Sequence, residues 1–187
     1  TRRSRILAIQ LPDMGSSGQG AVPHSGYFLD IINGASTAAD DLDYALIVVP
    51  VRGRGKGNGN SLADFAVDGA VLVDPEGTEP AFDVPIPLAT IGVPLNPTRP
   101  VASVDNDHDG TVRKLLSHFQ SLGCNRPLLL TDRTHRSYVR DLTASYREHV
   151  EEHHAEPIVR SLGSLTRAAL DRVIAAVSEH GVDAVLA

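Results

Sequence analysis

The 187-residue chain lacks most of the features that mark specialised protein classes. It has one cysteine, Cys124, which excludes an intrachain disulfide framework and fits a reducing compartment. No apolar run approaches the roughly 18 residues of a membrane span. The segment Ile6–Leu11 is too short for the core of an export signal, and no cleavage signal follows it. A basic excess is also missing: 17 Lys and Arg stand against 23 Asp and Glu, a formal charge of -6. A phosphate-binding face needs clustered cations, so the chain itself carries no nucleic-acid surface. The exceptions are two short basic clusters, Thr1–Arg5 and Arg52–Lys56. These absences together read as a cytoplasmic protein without membrane association.

Catalytic and cofactor signposts are equally scarce. A phosphate-cradling P-loop needs Gly-Lys-Ser/Thr opening a helix, but Lys56 precedes Gly57 in the run Gly53–Asn60, where every second residue is glycine. That spacing reads as a surface loop. After the first apolar run, Gly15, Gly18 and Gly20 do not make the dinucleotide pattern, and no Gly-x-Ser-x-Gly elbow occurs. Asp105, Asp107 and Asp109 match the start of a calcium loop, yet its twelfth position is Leu116 where a bidentate Glu is required. Asp107 or Asp109 suits the N-terminus of the following helix better. His149 and His153 lie one helical turn apart with glutamates between, the inverted zinc-protease spacing. The surrounding Arg147–Glu156 is almost wholly polar, as a solvated helix end is. We therefore expect no enzyme activity, no cofactor and no metal.

What is present is a series of short, mostly continuous apolar runs: Ile6–Leu11, Tyr44–Val49, Gly69–Val73, Pro87–Ile91, Val101–Val104, Pro127–Thr131 and Val182–Leu186. Continuous rather than alternating runs suit parallel strands covered on both faces. Helical periodicity fills residues 27–40, 110–122, 137–152 and 165–180, with Gly123 and Gly181 as stops. This alternation implies βαβ units and a mostly parallel sheet. Gly92, Pro94, Pro97 and Pro100 interrupt it, which divides the chain into a lobe at 5–92, a crossover at 93–102 and a lobe at 103–187.

Ligands of open parallel sheets bind at the carboxyl ends of the strands. Asp13, Asp74, Asp105 and Asp132 fall there, with Arg52 and Arg133 nearby, as do His24, Tyr27, Phe28 and Asn106. Carboxylates accept hydroxyl hydrogens and an aromatic ring covers an apolar sugar face, so this set suits a neutral polyhydroxylated ligand. The same aspartates can also serve simply as caps of the next helix.

Several segments, in order, resemble the effector-binding domain of the LacI/GalR-type (lactose-repressor) family of transcriptional regulators. Ile6–Asp13 is similar to its first strand. Ser25-Gly26-Tyr27-Phe28 with Gly34 is similar to its Asn-Pro-Phe-Phe element. Val67-Asp68-Gly69 opens the next strand as in the family, and Val101–Gly110 resembles its Val-x-x-Asp-Asn-x-x-Gly block. Leu122–Leu130 and Val182–Ala187 resemble later strands. The resemblance implies a two-lobed, periplasmic-binding-protein-like α/β fold with parallel Rossmann-like sheets, its second lobe incomplete here. It also implies a homodimer, a small-molecule effector such as a sugar or nucleoside, and operator DNA bound through an N-terminal helix-turn-helix outside this chain. Residues 1–4 would be the hinge remnant. Asp13, Tyr27 and Phe28 would line the cleft from the first lobe, Asp105 its floor, and Asp132 with the loop after it the second lobe. The family's Arg-x-x-Gly-Phe/Tyr effector clamp, aligned on Tyr146, places Leu142 at the arginine, so Arg133 or Arg140 would have to replace it. The alternative reading is a solute-binding protein of a transport system, which shares the two-lobed plan.

Overall fold

The computed structural model describes residues 3–12, 26–49, 62–134, 136–163 and 166–187. The chain forms two compact units, Thr1–Asp105 and Asn106–Ala187.

In the first unit the elements run β1 (Ile6–Gln10), α1 (Gly26–Asp40), β2 (Ala45–Val49), β3 (Gly69–Val73), β4 (Leu88–Ile91) and β5 (Ala102–Val104). Every strand pair is parallel, and the sheet order is β2-β1-β3-β4-β5. Successive residues of a strand point to opposite faces, and the core divides accordingly. Ala8 and Leu72 join Val49, Leu62, Phe82 and Val84 on one side. Ile9 and Val73 join Leu11 and Phe28 on the other, where Ile31, Ile32 and Ala35 of α1 close over them. Burial on both faces is why the strands read as unbroken apolar runs.

The first of these faces is covered without an α-helix among the described residues. The turn around Leu62 and a 3₁₀ turn at Pro80–Asp83 carry the packing, with Leu62, Ala81 and Phe82 almost fully buried. The glycine-rich run Gly53–Asn60, read from the sequence as a surface loop, lies outside the described residues. The end of the first lobe differs from the sequence reading. The proline-rich boundary splits Ala102–Val104 between the crossover and the second lobe, whereas it hydrogen-bonds beside β4 in the first sheet, with Thr90 opposite Ser103. The buried Thr90 hydroxyl donates to Ser103 Oγ at 2.8 Å, a side-chain bond that joins the pair.

The second unit contains α2 (His108–Ser121), β6 (Pro127–Asp132), α3 (Ser137–Glu152), β7 (Ile158–Leu162), α4 (Arg167–His180) and β8 (Ala184–Leu186). Its parallel sheet has the order β7-β6-β8. Asp107 caps α2 as its spacing implied, accepting from Gly110 N at 2.9 Å. Gly181 ends α4 in the left-handed region, φ 60°, with its N–H bonded to Val177 O. The strand β7 was not recognised in the sequence. Its central Arg160 breaks the apolar run, yet the guanidinium is half-buried and bonded to Val159 O and to His180 Nε2.

Tyr146 ties the start of this sheet together. Its ring is fully buried among Val112, Leu116, Leu129 and Val150. The hydroxyl donates to Pro127 O at 2.7 Å and accepts from Ile158 N at 3.0 Å, so it pins β6 to β7. Leu142, aligned with the family's clamp arginine, packs against this same core.

Candidate effector site at the carboxyl ends of the strands

The order β2-β1-β3-β4-β5 reverses direction between β1 and β3, and a crevice outside the carboxyl ends of an open sheet forms at such a switch. Asp74 follows β3 at that point. Its backbone lies in the left-handed region, φ 45°, which aspartate tolerates better than most residues. Its N–H donates to Ile91 O at 2.7 Å, which extends the pairing one step past the end of β3. The side chain rests on Gly92, where a methyl group would stand 2.8 Å from Asp74 Oδ1. Gly92 itself has φ 87° and donates to Val104 O at 2.8 Å. The loop ends after β3, β4 and β5 are thereby fixed by short backbone bonds, and the Asp74 carboxylate is seated where only glycine leaves room. Asp105 follows β5 and is exposed, as is Asn106.

The expected aromatic pair separates on folding. Phe28 is 7% exposed and belongs to the core with Ile9, Leu11 and Val73, so it does not line an open cleft. Tyr27 is 44% exposed in the first turn of α1, with its ring edge-on to Phe28 at 5.2 Å. The helical period places adjacent residues about 100° apart, so one of two neighbours faces inward and the other outward. Asp13, His24 and Arg52 lie outside the described residues.

In the second unit the strand-end expectation leads to a connected cluster. Asp132 ends β6, and its Oδ1 accepts from Thr134 N at 2.9 Å and Thr134 Oγ1 at 2.6 Å. Its Oδ2 accepts from Tyr138 Oη at 2.5 Å. Burial pushes this carboxyl up, but the bonds from Thr134 and Tyr138 outweigh it and hold the group below the usual carboxylate range. The same burial, together with the neighbouring carboxylate, pushes the Tyr138 phenol up. Asp132 is therefore a charged acceptor at neutral pH, and Tyr138 a neutral donor. The His108 ring lies 6.5 Å from that of Tyr138.

Arg133 is exposed beside this cluster, and its side chain crosses Gly163 just beyond β7; a methyl on Gly163 would meet Arg133 Cδ at 3.2 Å. Arg140 instead sits one turn into α3 and pairs with Asp141 through Nε at 2.7 Å. Of the two arginines considered as clamp replacements, Arg133 is the one that reaches across the strand ends. Sequence reasoning missed Thr134 and Tyr138. A signal was available for Tyr138, because the first turn of a helix after a strand stands next to that strand's carboxyl end.

Each unit is thus built on an open parallel sheet, with charged and hydroxyl side chains at the strand ends. No family model matches the sequence, and no curated protein matches it. Solved structures do match in shape. The transcriptional regulator CelR, in a complex with cellobiose, superposes with a TM-score of 0.79 at 21% identity, over 98% of this chain and 58% of that one. The Cra dual regulator from Pseudomonas putida, with fructose 1-phosphate, gives 0.73 at 17% identity over 98% and 68%. A periplasmic binding protein/LacI transcriptional regulator from Alkaliphilus metalliredigens, with D-xylulofuranose, gives 0.65 at 11% over 96% and 74%. The chain spans 64% of the length of each of four further transcription regulators of this kind. It has the periplasmic-binding-protein-like fold of LacI-type regulators.

Proposed function

We propose that the chain is the small-molecule-sensing part of a DNA-binding transcriptional regulator, with a sugar or nucleoside as effector. The observation that carries this reading is the Asp132–Thr134–Tyr138 cluster at the end of β6, flanked by Arg133. A carboxylate held ionised by its neighbours accepts hydroxyl hydrogens from a polyol, while a phenol and a guanidinium supply donors. On this reading Asp74, Asp105 and Tyr27 are candidate ligand contacts of the first unit considered by itself. The solved regulators of this fold with cellobiose and fructose 1-phosphate support a sugar-type effector.

Regulation then follows from linkage. An effector shifts an equilibrium between two states only by the difference in its affinity for them. In a cytoplasmic homodimer carrying two DNA-reading heads, that difference alters operator affinity. No helix among the described residues is long and apolar enough to cross a membrane.

The test is a thermal-shift screen of sugars, sugar phosphates and nucleosides on the full chain, repeated with Asp132→Asn and Tyr138→Phe. A ligand that raises the melting temperature of the wild type and not of the two variants supports the site. Absence of any stabilising ligand, or an undiminished shift in both variants, overturns it. The rival reading, a solute-binding protein for transport, is separated by whether the gene encodes an export signal or a helix-turn-helix upstream of Thr1.

A further inference from the structure

The last turn of α3 lies outside this reading and has a different composition. His149, Glu152 and His153 each offer a ligating atom, and all three atoms lie within 4.8 Å of one another. The two imidazoles stack with centroids 4.4 Å apart. Residues three and four apart share a helix face, so the spacing itself brings them together. The polar composition of Arg147–Glu156 suits a solvated helix end. Glu152 and His153 do face solvent, but His149 is 6% exposed.

Three details distinguish the cluster from a chance surface group. First, the buried Nε2 of His149 has no hydrogen-bond partner, and buried polar atoms are rarely left so without a reason. Secondly, Nδ1 of His153 is bonded to the carbonyl of His149 at 2.7 Å. Such a bond fixes the tautomer and leaves Nε2 as the electron-pair donor, the outer-shell arrangement usual for metal-binding imidazoles. Thirdly, Arg113 NH1 occupies only Oε2 of Glu152, at 3.2 Å, which leaves the other oxygen as a ligand. A cation here also meets the negative end of the α3 dipole. His153 also borders a pocket of about 320 Å³ with Gln120, Cys124 and Asn125.

We propose that His149, Glu152 and His153 form a binding site for a divalent transition metal of the zinc class. Two imidazoles and one carboxylate suit zinc, nickel or copper, whereas calcium and magnesium require oxygen ligands. The ion would staple the end of α3, whose Val150 lies in the core of the second unit, and so stabilise that unit.

The experiment is calorimetric titration of the full chain with Zn²⁺, and with Co²⁺ followed by visible absorption. The expected result is one saturable site, a raised melting temperature, and a Co²⁺ spectrum displaced by Zn²⁺. His153→Ala should weaken binding by at least the roughly 10–100-fold that loss of an outer-shell partner costs. Glu152→Gln should weaken it less, and His154→Ala, a change in the adjacent histidine outside the cluster, should leave it intact. Circular dichroism checks that each variant is folded; Glu152→Gln alters an exposed side chain and keeps the test valid if His153→Ala does not fold. No saturable Zn²⁺ uptake at micromolar concentration overturns the proposal. So does binding that survives both His153→Ala and Glu152→Gln, or that is lost with His154→Ala alone.

Discussion

Asp68 and Asp183 make the same pair of bonds in the two halves of the chain. Asp68, just before β3, accepts from the backbone N–H groups of Ser4 at 3.0 Å and Arg5 at 2.9 Å, just before β1. Asp183, just before β8, accepts from Asn125 N at 2.7 Å and Arg126 N at 2.9 Å, just before β6. In each case a carboxylate bridges to the start of the neighbouring parallel strand, where the ladder has not yet begun. The Val-Asp pairs at 67–68 and 182–183 are therefore register pins, which explains a motif that sequence comparison registers only as a resemblance.

Replacing either pin should loosen its own sheet without touching the strand ends. Asp183→Ala removes two charge-assisted bonds and should cost roughly 1–2 kcal/mol in urea unfolding. Asp68 has an additional signature. The Ser4 amide, outweighing slight desolvation, and the Arg5 amide hold its carboxyl below the usual range. A depressed folded-state pKa contributes stability above the unfolded value near 3.9 and loses it as pH falls through the folded one. Acid unfolding of Asp68→Asn should accordingly show a shallower loss of stability between pH 4 and the acid limit than the wild type does.

Tyr146→Phe tests the pin between β6 and β7. The ring volume is kept, but Ile158 N and Pro127 O lose their partner inside the unit. Leaving buried polar groups unsatisfied costs about 1–3 kcal/mol each at most. The urea midpoint should fall while its slope stays unchanged. A variant as stable as the wild type would show that water reaches this point.

His149 gives a pH dependence of opposite charge type. Its folded-state pKa lies below the unfolded value of about 6.5 because burial, aided by His153, disfavours the imidazolium. Between those two values the unfolded chain binds more protons, so stability rises with pH and levels off above the unfolded pKa. His149→Gln in metal-free buffer should flatten the rise in melting temperature as pH climbs toward the unfolded value of about 6.5. An unchanged slope would assign that dependence to another histidine.

The N-terminus of α2 provides the mildest test. Asp107→Ala removes its cap and should cost about 1 kcal/mol. A methyl at Gly110 would stand 2.2 Å from Asp107 Oδ2, so Gly110→Ala must displace the capping carboxylate and loses the same bond. The double variant should then be little worse than either single change, measured as a thermodynamic cycle.

Most of the parallel strands, and the helices that the structure places at 26–40, 108–121, 137–152 and 167–180, could be read directly from the chain, because double-sided burial demands continuous apolar runs and caps demand particular residues. Ile6–Leu11 and Gly69–Val73 are hydrophobic whatever surrounds them, and Gly181 ends a helix by its own backbone freedom. The strand β7 escaped notice because Arg160 finds its partner in His180, twenty residues away, a contact no local pattern displays. The assignment of β5 to the first sheet likewise depended on pairing with β4 rather than on composition.

At the candidate site the division is sharper. Sequence placed Asp74 and Asp132 at strand ends, since a strand's last residue is fixed by where its apolar run stops. It could not tell that Phe28 turns inward while Tyr27 turns out, that Tyr138 closes on Asp132, or that His149 is buried in an otherwise polar segment. Those outcomes are set by which face of a helix meets the sheet, and that angle is decided only when the whole core packs.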